Sequence, residues 1–458
     1  MPAERPLASR IGITLVVLAS GYAAAAAATA GPQWSLGAAQ TAGFPAVVLF
    51  AIGVVWPYAG LLVWLCLLPL FDAVVLGPAG LPLTPGHAAL AGALTGWVVR
   101  SLGRGPELPK AAAPLLAALA ALPVAGLLSA AGSPDPALTV ATSARLVLMW
   151  GIAAMVASAA SKPRRAGAVH AVLVVVGCAM AGVAFVQLLF PGLGIGRAAV
   201  QGLSLSNEIV RPAAFFRDPN FLGGYLSACA VAAAALAAHA RRAREALPWL
   251  AGAGVCAAGV LVTASRSALV GLAIGALFVV ATAPPKRRNV LAAALLVVVL
   301  AAAPFVPRSV YGRMAQLLQP ASATSLSTRY LMALSDARMF VEHAPAGIGL
   351  GAHDTVYPAY RLPGALPRIT HPHQVPVSFV AETGLVGLLA LAACFAAAVA
   401  AGRRMARAGW QPYAAAASTA TLVLVVESLF QYYLFFEYLW IWFGLFAAAA
   451  SFKEASVR

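Results

Sequence analysis

Apolar residues fall in long unbroken runs along this chain, and short polar or basic segments separate them. A membrane-crossing helix needs about 20 predominantly apolar residues in a row. The pattern predicts fourteen such segments, at 11–30, 43–56, 57–77, 86–103, 110–132, 142–160, 167–191, 219–240, 246–264, 268–284, 289–307, 375–402, 411–432 and 433–452. The run at 43–56 is short and ends at Trp56-Pro57, and few polar residues mark the division of 411–452, so the expectation is 12–14 spans. A barrel would alternate with period two instead. The pattern therefore predicts an all-α polytopic membrane protein, with 1–458 as a single integral domain. Two longer polar segments interrupt the runs, at 192–218 and 308–374. Within the second, Tyr330, Leu334, Ala337 and Val341 recur at helical spacing, which predicts an amphipathic helix near 329–342. That face is suited to the membrane surface or to the bundle.

Composition agrees. The chain is 62% hydrophobic and 10% charged, with a mean hydropathy of +0.87, which excludes a soluble multidomain enzyme and a disordered chain. Cys66, Cys178, Cys229, Cys256 and Cys394 all lie in apolar runs without a CxxC pair, as small core residues do. Arg5 and Arg10 before the run from Ile11, and the Ala-rich stretch to Ala30, resemble a signal peptide, but an uncleaved first span is expected. Either way residue 31 faces outward.

The net charge of +16 would suggest nucleic acid in a soluble protein; here it is sorted by side of the membrane. Four clusters (Lys162, Arg164 and Arg165; Arg241, Arg242 and Arg244; Lys286, Arg287 and Arg288; Arg403, Arg404 and Arg407) fall on one side of an alternating count, together with Lys110, Lys453 and both termini. By the positive-inside rule that side is cytoplasmic. The segments 192–218 and 308–374 are then outside.

Outward loops should be poor in positive charge, yet these carry Arg197, Arg211, Arg217, Arg308, Arg313, Arg329, Arg338, Arg361 and Arg368, and no lysine. Arg266 sits in a three-residue outward turn, Ser265-Arg266-Ser267. Lipid headgroups account for many exposed arginines. A tight turn leaves little room for incidental charge, however, and guanidinium groups grip phosphate in bidentate fashion. The pattern points to an anionic ligand at the outer surface. His343, His353, His371 and His373 share the long loop, and the last two stand at the edge of the span from Val375, where a base can meet a lipid-linked substrate. There is no Asp-x-Asp pair, which disfavours a metal-dependent glycosyltransferase site.

At these residues the sequence resembles the bacterial O-antigen ligase and O-antigen polymerase superfamily, most closely the lipopolysaccharide O-antigen ligases. Four features match in order over roughly 205–400. Arg211 is followed by Arg217-Asp218-Pro219-Asn220-Phe221-Leu222-Gly223, similar to the family's Arg and Pro-Asn-x-x-Gly. Thr263-Ala264-Ser265-Arg266-Ser267 is similar to its Ser-Arg turn. Arg329, then Glu342-His343-Ala344-Pro345-Ala346-Gly347-Ile348-Gly349-Leu350-Gly351, resembles its long-loop run with an extra residue before the proline. His373-Gln374, then Glu382-Thr383-Gly384 and Gly387, resembles its His-Asn and Glu-x-Gly-x-x-Gly, with Gln374 in place of the usual Asn.

The resemblance implies a bundle of the GT-C-like kind with a periplasmic cavity capped by 308–374. It also implies transfer of a glycan from undecaprenyl diphosphate to a hydroxyl of lipid A–core, metal-independent, with no cofactor, in the inner membrane. His373, with His371 as the alternative, would be the base, since histidine can take a hydroxyl proton. Arg211 and Arg266 would act on the departing diphosphate, helped in binding by Arg217, Arg329 and Arg338. Direct attack would invert the anomeric centre. An O-antigen polymerase, a protein oligosaccharyltransferase and a lipid or solute transporter are the alternative readings.

Overall fold

The computed structural model describes residues 36–70, 85–105, 108–196, 198–201, 209–302, 324–366 and 372–452. The expected first span, 11–30, and Arg197, Arg308, Arg313, Arg368 and His371 lie outside them. The chain is an all-α polytopic membrane protein. Its helices are α1 (Leu36–Val55), α2 (Pro57–Leu67), α3 (Pro85–Arg104), α4 (Ala113–Leu128), α5 (Pro136–Ala159), α6 (Pro163–Leu189), α7 (Pro219–His239), α8 (Ala243–Thr263), α9 (Arg266–Thr282), α10 (Pro285–Ala302), α11 (Thr324–His343), α12 (His353–Tyr360), α13 (Val375–Arg407), α14 (Pro412–Glu427) and α15 (Glu437–Ala449). From 43–56 onward, each expected apolar segment coincides with one of them. Among the described residues six helices are long and apolar enough to cross a membrane, and further apolar helices are shorter.

Prolines start many helices because the first turn needs no backbone N–H partner at that position. Asp135 and Asp218 cap α5 and α7, their carboxylates accepting from Leu138 N at 2.9 Å and from Asn220 N at 2.7 Å. Helix α7 is the central element, buried along nearly its whole length. Its Ala-rich sequence lets α8, α9 and α14 approach closely, since small side chains are what membrane helix interfaces use.

Three features depart from the hydropathy pattern. The division expected between 411–432 and 433–452 is present but longer than a boundary: α14 stops at Glu427, and 428–436 is non-helical before α15. Irregular backbone at this depth is tolerated only inside protein, and Gln431, Tyr433 and Leu434 are indeed buried. Helix α13 is kinked at Gly384, whose φ of 64° and ψ of −151° suit glycine. The outward segment 192–218 also contains a short antiparallel hairpin, β1 (Ala198–Gln201) with β2 (Ile209–Pro212), pairing Ala199 with Arg211.

The amphipathic helix exists as α11, but it packs on the bundle by the other face. Tyr330, Leu334 and Val341 are exposed, whereas Thr328, Met332, Ser335, Asp336 and Met339 are buried. The inward face is set by Asp336, which has partners only there.

The basic clusters gather at one end of the bundle. Arg287 donates to Ala238 O at 3.0 Å, and Arg404 donates to Ala111 O at 3.1 Å. Those contacts lie at the C-terminal end of α7 and just before α4. The hairpin, the 263–266 turn and the start of α13 belong to the opposite end.

Candidate functional site

Two polar clusters occupy that opposite end. The first is built around Asn220 in the first turn of α7. Its Oδ1 accepts from Arg211 Nη2 at 3.0 Å and from Ser265 Oγ at 2.9 Å. Arg211, at the end of β2, is 2% exposed, and its Nε also donates to Thr263 O at 3.0 Å. The arginine thus ties the hairpin to the α8–α9 turn. That turn is tight because Ala264 adopts a left-handed conformation, φ 50°, which places half-buried Arg266 at the first position of α9.

Arg329, on α11, faces this turn. Burial, and secondly the charge of Arg266, push the Arg329 guanidinium below the ordinary arginine pKa, while Asp218 and Tyr433 act the other way. Two cations brought together out of water cost free energy that an arriving anion recovers. The structure therefore brings Arg211, Arg266 and Arg329 to one place from three distant motifs. Arg217 is exposed beside the α7 cap. Arg338 is exposed as well; nine residues after Arg329, about two and a half helical turns, it sits on the opposite face of α11.

The second cluster joins the glycine run to α13. Ile348 N donates to Ala381 O at 3.1 Å and Gly349 N to Glu382 O at 2.9 Å, and Leu385 N returns to Pro345 O at 2.9 Å. The Glu382 carboxylate, 1% exposed, accepts from Gly351 N at 2.9 Å, from Tyr432 OH at 2.8 Å and from the His353 backbone. This docking explains Gly384: a Cβ there would lie 2.0 Å from Pro345 O, on backbone that already has positive φ. Next to it, the buried Asp336 accepts from Ser378 Oγ at 2.6 Å and pairs with His353 Nε2 at 2.9 Å, while the His353 ring stacks on Tyr357.

The broken segment 428–436 joins the clusters. Ser428 O accepts from Val375 N at 2.9 Å, Tyr432 holds Glu382, and the Tyr433 hydroxyl lies 3.0 Å from both Asn220 O and Glu427 Oε2. His373, half-buried, stands two residues before the pinned Val375. Sequence reasoning missed Asp336, His353, Ser378, Tyr432 and Tyr433 as parts of this end of the bundle. Asn220 and Glu382 lay in its motifs without an assigned role. Asp336→Ala is expected to cost about 3–5 kcal/mol, because it strips both His353 and Ser378 of a buried acceptor. Asp336→Asn should cost less, and denaturation of the detergent-purified variants measures both.

An all-helical bundle with a polar, arginine-bearing cluster at one end defines a polytopic membrane protein with a candidate site at that end. Residues 250–392 match the family model described as O-antigen ligase. The match supports a function of the O-antigen ligase or polymerase type in general. The match contains Arg266, Arg329, Glu382 and His373; Arg211 and Asn220 precede it, and Tyr432 and Tyr433 follow it. No curated protein matches the chain.

Proposed function

We propose that this chain is an O-antigen ligase. It moves a glycan from undecaprenyl diphosphate to a hydroxyl of lipid A–core at the periplasmic face of the bacterial inner membrane. The observation that supports this most directly is the convergence of Arg266 and Arg329, half-buried and facing one another across motifs more than sixty residues apart. Such a pair suits a diphosphate, the leaving group of this donor. His373 removes the acceptor hydroxyl proton as that oxygen attacks the anomeric carbon. The bond from that carbon to the diphosphate oxygen breaks, its electron pair leaves with the diphosphate, and the centre inverts. The arginines stabilise the growing charge. Arg211 serves chiefly by positioning the 263–266 turn through Thr263 and Asn220. The segment 308–374 caps the cavity, and we assign exposed Arg217 and Arg338 to the anionic surroundings of the donor and to lipid headgroups.

A deletion strain tests the reading. Loss of a ligase leaves polymerised carrier-linked glycan and bare core. Single-repeat caps would show a polymerase instead. Because guanidinium groups here take the place of a cation on the diphosphate, purified enzyme should transfer glycan at an unchanged rate in excess chelator. Loss of transfer that magnesium or manganese restores would reverse that expectation.

A further inference from the structure

At the end of the bundle that carries the basic clusters, α2, α3, α5 and α6 enclose a cavity of about 280 Å³. It is far from the site above. Arg165 stands in the first turn of α6, while Gln187, near its end, accepts from Ala214 N. The helix between them is roughly 33 Å long at 1.5 Å per residue.

The polar lining consists of Tyr58, Trp97, Arg100, Ser101, Ser158 and Arg165, and no acid is among the described residues that line it. Arg165 is held in place: its Cζ lies 5.2 Å from the Tyr58 ring centroid, and the Tyr58 hydroxyl donates to Arg165 O at 3.2 Å. Arg100 donates from Nη2 to Val55 O, which leaves most of its five N–H donors for other uses. Beside the cavity, Val99 and Leu102 of α3 are 59% and 83% exposed, an apolar surface suited to acyl chains.

We propose that this cavity binds the phosphate group of an anionic phospholipid headgroup, a second ligand site separate from the donor site. The two arginines grip the phosphate oxygens, and the acyl chains lie along α3. The same chemistry would accept free phosphate, so the test has both arms. The full-length protein in detergent is given phosphatidylglycerol, phosphatidylcholine or inorganic phosphate, and retained lipid and unfolding temperature are read. Phosphatidylglycerol should be retained preferentially and raise the unfolding temperature above that in phosphatidylcholine. An Arg100→Gln/Arg165→Gln variant should bind it at least about tenfold more weakly, as loss of charge-assisted bonds implies. Each single variant, Arg100→Gln or Arg165→Gln, should weaken it in part and decides the matter if the double variant does not fold. An equal shift with inorganic phosphate alone overturns the lipid assignment. Equal retention of both lipids, or wild-type retention by the folded double variant or by both folded single variants, overturns the site.

Discussion

Replacing His373 by alanine is expected to lower glycan transfer by about 10²–10⁴-fold, the usual contribution of a positioned proton acceptor. Folding should survive. His373 is half-buried, in the non-helical stretch ahead of α13, and takes no place in the core. Its position is nonetheless defined, because Val375 N is bonded to Ser428 O. The same short segment from Ser428 carries Tyr432 to Glu382 and Tyr433 to Asn220. Transfer should also slow on acidification, since a protonated ring cannot accept a proton. His371→Ala should be milder, acting through orientation of its neighbour or of the acceptor. Both variants are assayed at saturating donor and acceptor. A dead His371→Ala beside an active His373→Ala would move the base by two residues. Activity in both would remove general-base catalysis and leave the rate to positioning and diphosphate stabilisation.

Arg266→Ala should reduce transfer about 10–150-fold, the equivalent of one charge-assisted hydrogen bond worth roughly 1.5–3 kcal/mol. Arg329→Ala should fall in the same range. The double variant should lose less than the product of the two, because both guanidinium groups act on one anion and each relieves the other's charge when removed. Lysine should rescue poorly, as a point charge does not replace a planar fork. Arg211→Ala is distinguishable from both. Its Nε and Nη2 hold Thr263 and Asn220, so it should lower thermal stability along with transfer, whereas Arg266→Ala should leave stability nearly unchanged. Near-normal transfer by Arg266→Ala and Arg329→Ala at equal protein levels would sink the diphosphate assignment.

Hydropathy alone located the helices of this protein, because lipid demands continuous apolar runs and internally satisfied backbone. Arg266 and the arginines of 192–218 and 308–374 were legible for a related reason: in an alternating count of spans they run against the positive-inside bias, so each needs an explanation. Arg266 and Arg329 came from that argument and remain together in the folded chain. Arg338 came from it too, but a helix presents residues nine apart on opposite faces, and a count of loop charges carries no face.

Tertiary structure decided the rest. The break at 428–436 falls where hydropathy divides 411–432 from 433–452, but its contacts are not legible there: the Tyr432 hydroxyl donates to Glu382 of α13, and the Tyr433 hydroxyl lies beside Asn220 O of α7 and Glu427 at the end of α14. The apolar stripe of α11 left open whether it meets the membrane surface or the bundle; the packed face is the other one, since burying Asp336 requires His353 and Ser378, supplied by α12 and α13. Sequence by itself therefore determined where the apolar helices of the described residues lie and which charges stand out in an alternating count. Which polar side chains meet was fixed only by the fold, because a buried donor or acceptor must find its partner wherever in the chain that partner lies.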